Sequence, residues 1–342
     1  MTKTHTQADR AAGPAAPSDI PRSGWGSILR RTLRELKHDD VTDRAAALTY
    51  YGVLAIFPGV LVLISILGLL GKATVQTLLD NLGQVAPGGV NSFLRTVIEQ
   101  VQGRSGAASI GAVVGLALAL WAASGYVAAF MRASNAIYDV DEGRPIWKTA
   151  PVRLGVTLLL VIMLVASAIM VVVSGPIASQ VGHAIGIGDT AVTVWNIAKW
   201  PVLLVLVSLM FSLLYWACPN VKQPGFRWIT PGGVLAVFVW LLASGLFAVY
   251  VAMSGSYNKT YGTLATVIVF LVWLWITNIA ILLGAEFNAE TQRQRAIEAG
   301  LPDDVEPFAE LRDTRKLDEA QTERVEHADL ARQTALDPDG RG

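Results

Sequence analysis

The sequence has few charged residues and hardly any cysteine or histidine, and each shortage excludes a class of protein. Only 16% of the 342 residues are charged, against about 25% in an average soluble domain. Basic and acidic residues balance at 27 each, so the chain lacks the positive field that nucleic-acid binding requires, and no nucleic-acid partner is expected. The single cysteine, Cys218, excludes an internal disulfide and a cysteine-rich metal module.

Motifs for catalysis and metal binding are missing as well. The four histidines stand far apart, and no pair of residues has a metal-ligand spacing such as His-x-Glu or Cys-x-x-Cys. There is neither a phosphate-cradling Gly-rich loop nor a Gly-x-Ser-x-Gly turn. Asp139, Asp141 and Glu142 are residue types that can hold a divalent ion, but Arg144 and Lys148 in the same short loop favour a solvated loop. No enzyme activity, catalytic residue, cofactor or metal is therefore predicted.

Long hydrophobic runs are what the sequence has instead. Hydrophobic residues make up 53% of the chain, and its mean hydropathy is +0.46. Six stretches lack Lys, Arg, Asp and Glu and approach the roughly 20 apolar residues that a helix needs to cross a bilayer. Because the runs are continuous, without period-2 alternation, they predict an all-α fold, a polytopic bundle of six transmembrane helices, rather than a barrel. The spans cover about residues 45–71, 107–131, 154–174, 200–217, 232–253 and 261–285.

The charges between the spans predict the orientation. Residues 45–290 hold 11 basic and 8 acidic residues, and the compact loops after the second and fourth spans are rich in Lys and Arg. Short basic loops stay in the cytoplasm, and an even number of spans puts both termini on that side. The chain is therefore expected to be a multi-pass protein with cytoplasmic termini and the lipid bilayer as its main partner. The basic loop residues are Arg132, Arg144, Lys148, Arg153, Lys222 and Arg227.

Two segments beside the spans have predictions of their own. Residues 25–37 place apolar side chains, including Trp25 and Leu33, at helical spacing, with basic residues on the other faces. This pattern predicts an amphipathic interfacial helix that binds anionic lipid headgroups, and a cytoplasmic helix packed on the bundle is the alternative. Residues 72–105 contain two apolar stripes separated by Pro-Gly-Gly, which predicts an external helical hairpin.

Polar tails flank a membrane domain of residues 25–290. Residues 1–24 contain no apolar run and are predicted to be a disordered tail. Residues 291–342 hold 13 acidic and 8 basic residues. Because so little apolar surface is available for a core, a mostly disordered acidic cytoplasmic tail is predicted there.

Polar side chains near the spans are the best candidates for function, because an unpaired polar group in lipid is costly. A proline in the first span can open its hydrogen-bond ladder, and Glu286, at the inner end of the sixth span, is expected to pair with an arginine such as Arg44, Arg132 or Arg153. The set can line a polar pathway or form ion pairs, and interhelical hydrogen bonds with interfacial anchoring are the alternative. The candidates are Tyr51, Pro58, Arg132, Asn135, Tyr138, Arg144, Asn278 and Glu286.

Two short segments of the spans resemble each other. Trp121–Gly125 in the second span and Trp240–Gly245 in the fifth both run from a tryptophan to Ala-Ser-Gly. Those helices run in opposite directions, so one interpretation is a three-plus-three inverted repeat of the kind found in many transporters. Small residues that allow close helix packing are the other interpretation.

Three motifs, taken in order, resemble those of a known family. They are Arg44–Tyr51 leading to Phe57-Pro58, Arg132–Tyr138 followed by Arg144-Pro145, and Tyr261–Leu264 followed by Trp273 and Gly284–Asn288. The resemblance is to the YihY/virulence factor BrkB family and covers residues 25–290. It implies a bacterial inner-membrane protein with about six spans and an unsettled activity. One branch is associated with serum resistance and a transporter-like role, and some members were once labelled ribonuclease BN.

The sequence and the resemblance together favour a transporter or permease-like protein of unknown substrate, without ATPase machinery. The alternative is a non-transporting membrane scaffold or an envelope-integrity or serum-resistance factor. The ribonuclease label gains no support from the sequence, because no metal-binding cluster is visible in it. A homo-oligomer is left open.

Overall fold

The computed structural model describes residues 20–69, 108–172, 189–223, 230–253 and 263–336. Within these ranges the chain is helical apart from turns, short connections and one antiparallel bridge between Val221 and Leu311. The predicted all-α fold is confirmed for this part of the chain. The helices are α1 Arg22–His38, α2 Val41–Leu69, α3 Ala108–Ile137, α4 Ile146–Val172, α5 Asp189–Ala217, α6 Pro231–Met253, α7 Thr263–Glu298 and α8 Glu319–Leu336.

Four of the described helices, α4 to α7, are long and apolar enough to cross a membrane. On α6, Phe238, Leu242 and Leu246 are each more than half exposed, and an apolar surface of this kind marks contact with lipid. The first two predicted spans fall on α2 and α3, whose side chains lie partly outside the described residues. The count of six spans therefore stays a prediction. The four candidate spans are Ile146–Val171, Val192–Ala217, Pro231–Met253 and Val267–Glu298.

The fourth predicted span begins earlier in the structure than its hydropathy indicates. α5 starts at Asp189 rather than near residue 200, and it continues through Lys199 and Pro201. Lys199 is buried, and its ammonium donates to Oδ1 of Asn196 over 3.2 Å and lies 5.6 Å from the ring of Trp200. Because these neighbours satisfy the charge locally, a lysine that ends a hydropathy window does not end the helix.

The chain divides into two compact units. The first is Met1–Thr49, Val127–Arg153 and Val207–Gly342, and the second is Tyr50–Tyr126 and Leu154–Leu206. The core of the first unit contains Ile28, Leu48, Phe130 and Leu282, all with less than 2% exposure. Helices α1, α2, α3 and α7 each contribute one of these side chains, so the ends of several helices share one hydrophobic core.

Two glycines let α6 and α7 approach each other closely. A Cβ placed on Gly284 would lie 2.5 Å from the carbonyl oxygen of Gly232 and 2.7 Å from Cβ of Ala236. A Cβ on Gly232 would in turn collide with the carbonyl oxygen of Gly284. Small residues at such a crossing are the usual device for close packing of membrane helices, so the glycine of the Gly284–Asn288 motif has a packing role.

Helix α1 packs along the carboxyl-terminal end of α7. Ile28 is fully buried, and Trp25 stacks on Phe287 with ring centroids 6.0 Å apart. Leu29 and Leu33 are 50% and 60% exposed on another face. The structure thus has a helix where the amphipathic pattern predicts one, packed on the bundle as in the alternative interpretation. Its location in the headgroup plane, and its binding of anionic lipid, stay predictions.

The carboxy-terminal segment, residues 301–336, is packed rather than disordered. Leu301, Phe308 and Ala328 are buried, and the segment ends in helix α8. Its backbone pairs with two loops, since Arg312 donates to the carbonyl of Asn220 and Lys316 donates to the carbonyl of Gly143, each over 3.0 Å.

This packing corrects the prediction of a mostly disordered tail for residues 291–336. A few apolar side chains suffice for order here, because the neighbouring loops supply the rest of the buried surface. Residues 337–342, the predicted tail before residue 20 and the predicted hairpin at 72–105 lie outside the described residues.

Candidate functional site

Among the buried polar side chains of helix α7 are Asn278, near its middle, and Glu286, both 1% exposed. Nδ2 of Asn278 donates to Oγ1 of Thr49 over 3.1 Å, and that hydroxyl donates to the carbonyl of Ala45 over 2.8 Å. These bonds join α7 to α2 through side chains that would be costly to bury alone. Asn278 is thus a satisfied polar contact between two helices.

Glu286 has a different kind of partner. Among the described residues no donor reaches its Oε2, which is fully buried, and its carboxyl group is in hydrogen-bond contact with the carboxyl group of Asp39. A buried carboxylate normally has a cation or several N–H donors beside it. Here a second acid occupies that place.

The turn between α1 and α2 brings Asp39 to α7. Helix α1 ends at His38, and Asp40 has a φ of 48°, a conformation that aspartate tolerates better than most residues. Nε of Arg44 donates to the carbonyl oxygen of Asp39 over 2.6 Å. Helix α2 then starts along α7, where Nε1 of Trp275 donates to the carbonyl of Thr42 over 3.0 Å.

Further carboxylates surround this pair. We call Glu35, Asp39, Asp139, Glu286 and Glu290 the acidic cluster, since each acts electrostatically on Asp39 or Glu286 or on the groups beside them. Burial and, to a smaller extent, the charge of Asp139 raise the pKa of Asp39 to about 6, against the opposing effects of the Glu286 hydrogen bond, Arg44 and His38. Burial likewise raises the pKa of Asp139.

Two arginines compensate Glu290. Nε of Arg31 lies 2.5 Å from Oε2 of Glu290, and NH1 of Arg293 lies 3.6 Å from its Oε1. Arg293 also reaches Asp139 at 4.0 Å and pairs with Glu306 of the carboxy-terminal segment. Glu290, one turn beyond Glu286, therefore has cationic partners, whereas no ion pair of Glu286 is found in the part of the chain that the structure describes.

A second network surrounds Arg144 in the loop after α3. We call Asn135, Glu142, Arg144 and Asn220 the Arg144 cluster. The buried guanidinium donates to both carboxylate oxygens of Glu142 over 2.7 Å and to the carbonyl of Cys218 over 2.7 Å. Nδ2 of Asn135 donates to Glu142 over 3.0 Å, and its Oδ1 accepts from the backbone N–H of Asn220 over 2.7 Å. The cluster joins the α3–α4 loop to the end of α5.

The electrostatics of this loop indicate a structural role. Burial raises the pKa of Glu142, but the hydrogen bonds and charge of Arg144 and the bond from Asn135 outweigh it, so the net pKa is lowered. Burial raises the pKa of the Tyr138 hydroxyl and of the Cys218 thiol to about 12, which leaves both groups protonated at neutral pH. In the described part of the chain no group of three His, Cys, Asp or Glu side chains has a metal-binding arrangement.

Most residues of the Gly284–Asn288 motif make a contact of their own in the structure. Gly284 permits the close crossing with α6, Glu286 meets Asp39, and Phe287 stacks on Trp25. Oδ1 of Asn288 accepts from the backbone N–H of Gly232 over 2.9 Å, and its Nδ2 donates to Oγ1 of Thr230 over 3.1 Å. Asn288 thus caps the amino-terminal end of α6 from a neighbouring helix.

The structure gathers some of the predicted site residues and separates others. Asn135 and Arg144 share one network, and Tyr138, beside them in sequence, is buried against Phe308 with ring centroids 5.8 Å apart. Arg132 is exposed, unlike its predicted neighbours on the same helix. Tyr51 and Pro58 belong to the second unit.

The predicted arginine partner of Glu286 is not observed among the described residues. Asp39 takes that place, and the guanidinium of Arg44 bonds to the backbone of Asp39 instead. An arginine was the more favourable partner on electrostatic grounds, but the position of the α1–α2 turn decides which side chain meets α7. Nothing in the sequence around Asp39 indicates that position.

Several residues of the site have no signal in the sequence. Asp39 stands in a polar stretch where it can equally be a helix cap, and Asn220 stands in a short loop. Asp313 comes from the tail that composition predicts to be disordered, yet its carboxylate accepts from Nζ of Lys148 over 2.6 Å. This bond and those of Arg315 hold the pKa of Asp313 well below its usual range. A basic loop facing an acidic tail is the one signal that can suggest such contacts.

Apolar outward faces on long helices, with buried polar contacts between them, define a multi-pass membrane protein. The family model for virulence factor BrkB matches residues 32–306. The chain therefore belongs to the virulence factor BrkB family, as the three motifs indicate.

Curated relatives share about a quarter of their residues with this chain. A ribonuclease-like protein of Bacillus subtilis, YfkH, is 28% identical over 271 residues, 79% of this chain and 97% of its own length. UPF0761 membrane proteins of Alkalilimnicola ehrlichii and Pseudomonas aeruginosa are 27% and 28% identical over 74% of this chain. The matches span only 55% and 60% of those two proteins. No solved structure matches the chain.

Proposed function

We propose that the protein is a transporter or permease-like protein that moves a solute across the bacterial inner membrane without ATP hydrolysis. The observation that carries the proposal is Glu286, a buried acid on a membrane-crossing helix with a second acid as its partner. Buried ionisable groups on membrane helices are expensive to keep, and those that persist commonly lie on substrate or proton pathways. Asn278, two turns away on the same helix, extends the polar line.

The orientation with cytoplasmic termini is part of the proposal. The Arg144 cluster, Lys148 and the carboxy-terminal segment belong to the same compact unit, and the loops in that unit hold the excess of Lys and Arg that favours the cytoplasmic side. The inverted repeat suggested by Trp121–Gly125 and Trp240–Gly245 would give the transport proposal further support.

Flux measurements test the proposal. The full chain is reconstituted in proteoliposomes, and uptake of ions, organic anions, amines and sugars is followed with and without a proton gradient. We expect at least one solute class to move, and E286Q to lower that flux at least tenfold. E298Q, the same substitution later on α7, is the matched control and should transport like the parent protein. The absence of flux for every class, or equal flux in E286Q, would contradict the proposal.

The alternative is a membrane scaffold or envelope-integrity factor that transports nothing. The ordered carboxy-terminal segment favours it, because a packed polar surface of this kind suits a protein partner. Crosslinking in cells discriminates between the two functions. Specific partners that disappear when the chain is truncated after residue 300, together with no flux, would favour the scaffold. The ribonuclease-like name of YfkH is not extended to this chain.

A further inference from the structure

We propose that Asp39 and Glu286 form one binding site for a single proton, shared between their two carboxyl groups, which fastens the α1–α2 turn to helix α7. As the coupling site of a transporter it rests on the function proposed above. The occupancy of the site by a proton does not depend on that function.

Glu286 has a buried carboxyl oxygen without a hydrogen-bond donor among the described residues. Oε2 of Glu286 is buried, and no N–H or O–H group of the described residues donates to it. The side chain in contact with Glu286 is a carboxyl group, which donates a hydrogen bond only when it carries a proton. Two ionised carboxylates in direct contact repel each other strongly, so such pairs hold one proton between them.

The charges around the pair suit a single remaining negative charge. Arg31 and Arg293 compensate Glu290, and Arg293 also approaches Asp139. Nε of Arg34 lies 3.2 Å from Glu35. Beside the pair, Nε of Arg44 donates to the backbone carbonyl of Asp39, and its positive charge matches the one negative charge that remains once a proton is bound. Nδ1 of His38 lies 3.6 Å from Oδ1 of Asp39. The charged or titratable groups that face the pair are Glu35 and His38 on α1, Arg44 on α2, Tyr138 and Asp139 after α3, and Glu290 on α7.

The pair lies where the α1–α2 turn meets helix α7. Asp39 lies in the turn that ends α1 and precedes α2, so the shared proton joins two helices to a third. Release of the proton to water leaves two carboxylates in contact, and their repulsion pushes the turn away from α7. Rebinding of the proton restores the contact. The site therefore links proton binding to the position of the turn.

Infrared spectroscopy of the full chain in lipid nanodiscs tests whether the proton is present. At neutral pH we expect a carbonyl band of a protonated carboxylic acid that shifts in D₂O. E286Q should remove the band. D39N should remove it too, because the new amide N–H gives Glu286 the donor that its carboxylate lacks. E290Q is the matched control, since Glu290 has arginine partners, and it should keep the band.

Several results of this experiment would contradict the shared proton site. A parent protein without the band, or a band that survives in E286Q or disappears in E290Q, would show that the proton is not on this pair. A band that survives in D39N would show that Glu286 holds the proton alone. Size-exclusion profiles and circular dichroism establish which variants fold, and if E286Q does not, D39N and E290Q decide the question.

Hydrogen exchange tests whether the shared proton holds the α1–α2 turn on helix α7. Protection factors of residues 38–44, corrected for the pH dependence of intrinsic exchange, should fall at least tenfold in the parent protein as the infrared band titrates away. D39N should show no such fall, and equal behaviour of the two proteins would overturn the fastening role. If the band behaves as expected while no solute is transported, the proton site stands and the transport function fails. If E286Q abolishes flux and the parent protein has no band, the transport function stands and the proton site fails.

Discussion

Arg144 shows what a single buried charge contributes in this protein. Its guanidinium is 4% exposed, and among the described residues Glu142 and backbone carbonyls at the end of α5 accept its hydrogen bonds. An arginine fork matches a carboxylate in two places at once. The residue therefore holds a loop and a helix end together rather than lining an open pathway.

The Arg144–Glu142 pair predicts a pH-dependent stability. E142Q should lower the free energy of unfolding at neutral pH by about 1.5 to 3 kcal/mol, the usual contribution of hydrogen bonds to a charged group. Because the folded-state pKa of Glu142 is lowered, this stabilisation is fully present above the ordinary pKa of the side chain. It is lost as the pH falls through the lowered value. Denaturant titrations in mixed micelles at neutral and acidic pH measure the difference between E142Q and the parent protein.

D141N is the matched control for that experiment. Asp141 is nearly half exposed, and NH2 of Arg324 lies 3.4 Å from its carboxylate. An exposed pair of this kind contributes less than about 1 kcal/mol, so D141N should change the unfolding free energy little at either pH. A loss in E142Q that persists unchanged in acid would contradict the assigned role of the ionised pair.

Among the structural elements, the carboxy-terminal segment depends most on a few contacts. Phe308 is buried between the ring of Tyr138 and the guanidinium of Arg293, 5.8 Å and 5.0 Å from its ring centroid. Together with the Val221–Leu311 bridge, this contact attaches the segment to loops of the same unit. A segment held by so few apolar groups should detach locally before the rest of the unit unfolds.

F308A should release this segment. Truncation of a buried phenylalanine costs about 3 to 5 kcal/mol, so the detached form should become at least a hundredfold more populated. Limited proteolysis of the protein in nanodiscs measures this as faster cleavage within residues 301–336. L330A is the control, because Leu330 is 62% exposed on α8, and its cleavage should match that of the parent protein. Equal rates for F308A and L330A would show that the segment is held by other contacts.

For the whole molecule, family membership and the apolar helices establish a multi-pass membrane protein. The charges of the loops predict the orientation of the protein in the membrane, and thiol labelling in whole cells can measure that orientation. Native Cys218 is fully buried and burial raises its thiol pKa to about 12, so it should contribute little background.

The predicted orientation places opposite ends of the molecule in different compartments. N91C, in the segment 72–105 that the sequence predicts to be external, should react with a membrane-impermeant maleimide in spheroplasts. E326C, at an exposed position of α8, should react only after the inner membrane is permeabilised. Labelling of E326C in intact spheroplasts would place the carboxy terminus outside and contradict the orientation.

The sequence by itself determined the class of the protein, because long apolar runs between short basic loops depend on local composition alone. It also selected Asn135, Arg144, Asn278 and Glu286 as candidate polar-pathway or ion-pair residues, since polar groups beside such runs need partners, and the structure buries all four. The partners themselves were decided by tertiary structure. Asp39 contacts Glu286 because the turn between α1 and α2 directs the chain along α7. Asp313 bonds to Lys148 because the acidic carboxy-terminal segment packs against a basic loop. Composition cannot predict these contacts, because they join segments far apart in the chain whose pairing depends on how the helices pack.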